Sequence, residues 1–197
     1  MKKKFLSKKI FWLVVLQIYI ILGAYYFFFM GKIHFKEEVR LANGKIIVIE
    51  RKIETSSYGE IGGPGGWDMV SNSLELIEQT STKTQLVWET HKKLSPVLLD
   101  WDEDSQEWYL ILVFRTCKEF FDHGRPEYAY VEQRYRDGQW REVPIAYSRF
   151  GRKANLFSAI RTDDSGLIDL KTKEQRMSEV GIDPGYVHIL SKYSLCD

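Results

Sequence analysis

Asp100, Asp102 and Asp104 form the most metal-like spacing in this 197-residue chain. Oxygen ligands at alternate positions suit a calcium loop, but an EF-hand loop continues with glycine and, seven residues after the third carboxylate, a glutamate. Ser105 and Ile111 stand in those places, so the triplet reads as an acidic hairpin turn facing water. His34, His91, His123 and His188 are scattered, without HxH or HxxxH spacing, and no zinc set assembles from near neighbours. No GxSxG nucleophile elbow is present. The carboxylate pairs Glu37/Glu38, Asp102/Asp104 and Asp163/Asp164 fall in turns and flanks, where charge is solvated rather than tuned. These residue types point to no catalytic set, no metal and no cofactor.

Three other groups invite a binding role. Residues 56–67, SSYGEIGGPGGW, bring Gly62, Gly63, Gly65, Gly66 and Trp67 into one loop. A backbone without Cβ atoms lets a ligand approach closely, and the same composition also serves a plain strand-to-strand connection. No Gly-Lys-Ser/Thr follows and GxGxxG does not fit, which excludes a nucleotide loop. Arg149, Arg152, Lys153 and Arg161 bracket FGRKANLFSAI, a candidate surface for an anionic partner or phospholipid head groups. The bland alternative pairs them with Asp163 and Asp164. Cys117 and Cys196 are the two cysteines and form no CxxC. On the oxidising side of a membrane they would make one disulfide pinning the C-terminal end to a strand; elsewhere Cys117 would be a buried strand residue.

The elements that must position these residues begin with an apolar run. Residues 10–30, IFWLVVLQIYIILGAYYFFFM, contain no Asp, Glu, Lys or Arg. At the helical rise the run spans roughly 30 Å, the thickness of a bilayer's hydrocarbon core. Gln17 is its one strongly polar member, and Gly23 has no small residue four positions away. Trp12 near one end and Tyr25 to Phe29 at the other resemble interfacial aromatic belts. A cleaved signal peptide has a shorter apolar region and a small-x-small site; Gly23-Ala24 is the weak candidate here. Lys2, Lys3, Lys4, Lys8 and Lys9 precede the run, against Lys32, Lys36 and Arg40 after it. The excess predicts a basic cytoplasmic tail at 1–9, a single-pass signal-anchor helix at 10–30 in the cell (inner) membrane, and an extracytoplasmic remainder.

Aromatic residues make up 14% and hydrophobic residues 44% of the chain, too much apolar surface for a disordered one. All 27 acidic residues lie beyond the first thirty positions, so the remainder is net acidic and offers no basic domain for nucleic acid. From Gly31 onward, short β-like runs alternate with turn residues. Asn43-Gly44 predicts a hairpin with a type I′ turn between 39–42 and 45–54. Residues 97–101 and 107–116 flank an acidic five-residue loop, 128–135 and 139–147 flank Arg136-Asp137-Gly138, and 73–78 pairs with 84–89. Tyr128, Tyr130 and Glu132 share a face, with Trp140, Val143 and Ile145 across the turn. Thr172 and Gln175 suggest a capping box for a helix over 173–180, capped by Gly181, with Pro184 beyond; 155–160 suggests a short helix or turn. Trp67, Trp88, Trp101, Trp108 and Trp140 supply the expected core. The expected organisation is a juxtamembrane linker at 31–38 and one mainly β domain at 39–197. That domain would be an antiparallel sandwich or barrel-like unit, or a β-rich α+β one. Its expected role is a non-catalytic binding or accessory module at the membrane surface, its partners the bilayer through 10–30 and another protein. The alternatives are a tethered hydrolase with a non-local site and an immunity or accessory subunit of a membrane complex.

Overall fold

Alternation in IHFKEEV and IIVIERKI builds the first hairpin. The computed structural model describes residues 10–21, 23, 30–58, 66–77, 86–91, 93–194 and 196. Strands β1 (Met30–Arg40) and β2 (Ile46–Tyr58) pair antiparallel from Met30 opposite Ser56 to Arg40 opposite Ile46. One face carries Ile33, Phe35, Glu37 and Val39 beside Ile53, Arg51, Ile49 and Ile47, all buried. The other face is charged, with cross-strand pairs such as Lys32–Glu54 at 3.4 Å and His34–Glu50 at 2.8 Å. Residues 31–38 are therefore strand rather than linker. Glu37 occupies an inward position of the alternation, and a charged residue there hides the strand from a reading by hydrophobicity.

β3 (Gly66–Ile77) adds to β2, and β4 (Val87–Thr90) adds to β3. A second sheet follows the order β5 (Leu94–Asp102), β6 (Glu107–Phe114), β7 (Tyr130–Arg136), β8 (Gln139–Val143). The chain then returns to the first sheet, where β9 (Ser165–Ile168) lies parallel to β1, giving sheets of five and four strands. Among the described residues the other strand pairs are antiparallel. The sheets face each other through Val39, Ile49, Leu74 and Trp88 on one side and Leu99, Leu110, Leu112 and Phe114 on the other.

Two details of the side-chain pattern differ from expectation. Trp88 is the one tryptophan in the buried core; Trp67, Trp101, Trp108 and Trp140 are half-buried, and aliphatic residues with Phe35, Tyr109, Phe114 and Phe157 fill the interior. Trp140 packs on the inner face beside Tyr135, while Val143 opposes Glu132 on the outer face. Positions three apart in a strand point to opposite sides, so these two cannot share a face. The turn types also exchange. Asp137 (φ +51°) and Gly138 (φ +79°) form the two-residue I′ turn between the paired Arg136 and Gln139. At Gly44 (φ +84°), Gly44 N donates to Leu41 O and Leu41 N to Lys45 O, a three-residue loop with a glycine bulge.

Helices are few. Residues 10–21 form α1, whose side chains are exposed apart from that of Val15. Among the described residues no helix is long and apolar enough to cross a membrane; residues 22 and 24–29 of the apolar run lie outside them. α2 (Cys117–Asp122) follows β6, with the Thr116 hydroxyl accepting from Glu119 N at 3.2 Å. α3 (Leu170–Glu179) is capped by Asp169, whose carboxylate accepts from Thr172 N at 2.7 Å; Thr172 lies inside the helix and Gly181 beyond its end. α4 (Pro184–Val187) begins at Pro184. Residues 155–160 are irregular, and Tyr147–Arg149 makes a single 3-10 turn.

The outer face of the second sheet is covered by the chain between 145 and 154 and by α4 with the segment after it, which pack on Tyr109, Ile111 and Tyr130. The Tyr130 hydroxyl lies 3.2 Å from Gly185 O and His188 O and accepts from Leu190 N. Burial pushes this phenol up to about 12, so it stays neutral where an unfolded tyrosine, near 10, ionises. Its contribution to stability is complete below pH ~10 and is lost as the pH climbs from there toward about 12. Alkaline unfolding monitored by circular dichroism should therefore show a shallower limb in Tyr130→Phe than in the parent. Gly138→Val forces a β-branched residue to positive φ and should cost about 1 kcal/mol or more in a denaturant titration.

Candidate functional site

The inward face of the first sheet is apolar at both ends and ionic in the middle. Glu37 is 0% exposed, Arg51 1% and Lys173, arriving from α3, 7%. Arg51 Nη1 donates to Glu37 Oε1 at 2.9 Å and Nη2 to Asn72 Oδ1 at 3.3 Å. Lys173 Nζ donates to Glu37 Oε2 at 2.7 Å and to the carbonyls of Glu38 and Asn155 at 2.8 and 2.6 Å. The Phe157 amide also donates to Glu37 Oε2, at 2.9 Å. One carboxylate thus serves two cations. Desolvation pushes the Arg51 guanidinium's pKa down, against the opposing pull of Glu37. A guanidinium stays protonated in proteins, so the cluster carries a formal excess of one positive charge. Arg51 Nε is buried with no hydrogen-bond partner.

Beside this cluster lies a cleft of ≈ 270 Å³ lined from both sheets. Ile53 and Met69 of the first sheet, Pro96 of β5 and Phe157 give it apolar walls, with Arg51 buried among them. The half-buried Arg115 lies at the rim, its guanidinium carbon 5.9 Å from the Trp67 ring centre. Asp183, which caps α4 by accepting from Gly185 N at 2.9 Å, faces the same cleft. An apolar wall with a few charged donors is the composition of a recognition site. A larger hollow of ≈ 660 Å³ lies between Arg40, Lys153, Leu156 and Met177. Its other cations, Arg152 and Lys173, are already ion-paired.

The residues singled out from sequence go elsewhere. Arg149 donates to Asp102 at 2.6 Å and stacks on Tyr109 at 3.8 Å; Arg152 pairs with buried Asp100 and with the Tyr109 hydroxyl. Their partners are the outer-face acids of the second sheet rather than Asp163 and Asp164. Lys153 and Arg161 remain exposed, so the four cations do not form one surface patch. Hydrogen bonding from Arg149 holds the Asp102 carboxyl below its ordinary range, and Asp100 and Asp102 are occupied by arginine and backbone donors while Asp104 is exposed. Among the described residues no group of three or more His, Cys, Asp or Glu could hold a metal ion. Gly62, Gly63 and Gly65 lie outside the described residues, while Gly66 and Trp67 open β3 opposite Tyr58 and Ser57. Cys117 and Cys196, Cα atoms 5.4 Å apart, are joined in a disulfide that ties the C-terminal segment to the first turn of α2, not to a strand.

Sequence reasoning read Glu37, with Glu38, as a solvated charge in a flank, whereas Glu37 is buried within β1, and it passed over Arg51, Arg115 and Lys173. The available signal was a charged residue at an inward position of each of two paired strands, Glu37 in β1 and Arg51 in β2.

Removing one member of a buried ion pair leaves an uncompensated charge, at about 3–5 kcal/mol. Glu37→Gln should lose that much in a denaturant titration, whereas Asp163→Asn, at an exposed position, should stay within ~0.5 kcal/mol. Compared with protein-family models, with curated proteins and with solved structures, the chain matches none.

Proposed function

We propose that this chain is a single-pass membrane protein whose 10–30 segment anchors a non-catalytic binding domain at the membrane surface. The observation that carries the reading is the exposure of α1. Trp12 is 68% and Tyr19 70% exposed, and nearly every apolar side chain of the helix lacks cover from the β domain. Apolar surface of that extent calls for a partner, and a helix apolar on all faces suits lipid. β1 begins at Met30, where the apolar run ends. The five lysines before the run favour a cytoplasmic 1–9 and an extracytoplasmic domain in the cell (inner) membrane. The Cys117–Cys196 bond suits the oxidising side. The cleft beside Arg51 supports binding rather than turnover, because its walls offer apolar contact and guanidinium donors.

Carbonate extraction should leave the full-length chain in the membrane pellet, and protease added to intact spheroplasts should digest the β domain. Recovery of a soluble form starting near Ala24 would replace the anchor by a cleaved leader. Protection of the domain would reverse the topology.

A further inference from the structure

The buried Glu37 cluster and the cleft beside it share Arg51, and that sharing constrains what the cleft can hold. The cluster has two cations for one carboxylate, and the excess is not neutralised within it. Arg51 Nε has no acceptor, although the side chain is 1% exposed. Desolvating a cation without a full set of acceptors is costly, and an anion placed against it recovers that cost. Rim charges do not cancel the excess. Arg115 and Asp183, one charge of each sign, both line the cleft, and Asp68 is taken by Lys93. Trp67, Met69, Ile160 and Phe157 form the apolar part of the wall, with the uncharged polar Asn72, Ser95 and Ser158 between them. The volume of ≈ 270 Å³ is nearly twice the roughly 150 Å³ of a cavity that holds benzene.

We propose that this cleft binds a small amphiphilic anion, with a carboxylate or phosphate head directed to Arg51 and Arg115 and an apolar body of phenyl or short acyl size against Trp67 and Met69. The proposal rests on the reading of the domain as a binding module and names its ligand class. Arg115 stacked near Trp67 offers the head a second donor. Electrostatic complementarity supplies the selection, since a neutral body of the same shape gains the apolar contacts alone.

The test uses the full-length chain in phosphatidylcholine nanodiscs, with methionine methyl groups labelled for NMR and Met69 assigned by Met69→Leu. The probes are 4-phenylbutyrate, phenyl phosphate, 4-phenylbutanol and 4-phenylbutylamine. The Met69 signal should shift saturably with an anionic probe, and about tenfold more weakly with the alcohol, the worth of one charge-assisted hydrogen bond. The tighter of the two anions identifies the head group. Arg51 belongs to the buried cluster and its loss would leave Glu37 short of a partner, so the rim residue carries the mutational arm. Arg115→Gln should weaken the anion several-fold and leave the alcohol unchanged. Equal binding of alcohol, amine and acid, or no Met69 response to any probe in a chain that still pellets with membranes, overturns the ligand class and leaves the tether standing. A Met69 response in a chain that carbonate releases overturns the tether alone.

Discussion

Glu37 has no contact with solvent, and its two oxygens receive a guanidinium, an ammonium and a peptide N–H. An isolated carboxylate in that position would cost several kcal/mol, so the ion demands its partners. Those partners come from four parts of the chain: Arg51 from β2, Lys173 from α3, Phe157 from the long return connection, and Asn72 of β3 through Arg51. Few other arrangements of these elements would satisfy the same donors. The requirement fixes where α3 and residues 155–157 rest on the first sheet. It also explains how one strand face can be shared. Val39, Ile47 and Ile49 pack on the second sheet, while Ile33, Phe35 and Ile53 pack on Phe157 and Ile168, with the ionic pair between the two halves.

The outer face of the second sheet repeats the device. Asp100 and Glu132 are buried there; Arg134 of β7 donates to Glu132 at 2.9 Å, and the covering segment adds Arg152 to Asp100 and Arg149 to Asp102 and toward Glu132. Asn155 completes the closure by donating to Arg40 O of the first sheet and Leu99 O of the second, while accepting from Leu99 N. In both places buried acids sit on strands beside a strand arginine, Arg51 or Arg134, and further cations arrive from outside the sheet, Lys173 from α3 and Arg149 and Arg152 from the covering segment, so charge helps to dock those elements. Asp102, held low by Arg149, supports the fold above the ordinary carboxylate range, and that support fades as acid lowers the pH through its depressed native value.

Much of the β architecture was legible in the sequence because turns announce themselves locally. Asp137-Gly138, Asn43-Gly44 and the acidic loop before Glu107 lie at real hairpins, and the pairing of β3 with β4 follows from two apolar runs. The type of turn at Gly44 was not legible, since Asn-Gly serves a two-residue loop and a glycine bulge alike. Long-range features were hidden for a common reason: polar residues in this fold do interior work. Glu37 disguised β1 as a linker, and Arg149 and Arg152 read as a surface patch because their acidic partners are 47 and 52 positions away. The parallel strand β9, SGLI, carries too few residues to be read as a strand by pattern. The cleft brings together residues from β2 and β3, Arg115 after β6, Phe157 and Asp183, a set that no local spacing proposes.

The organising role of Glu37 makes the amide of Phe157 its most direct reporter, because this N–H belongs to no strand or helix and donates to the Glu37 carboxylate. Native-state hydrogen exchange measured residue by residue should show Phe157 protected as strongly as the central amides of β1 and β2, opening only with global unfolding. Exchange of Phe157 at the rate of an ordinary irregular segment, while β1 and β2 stay protected, would contradict the account.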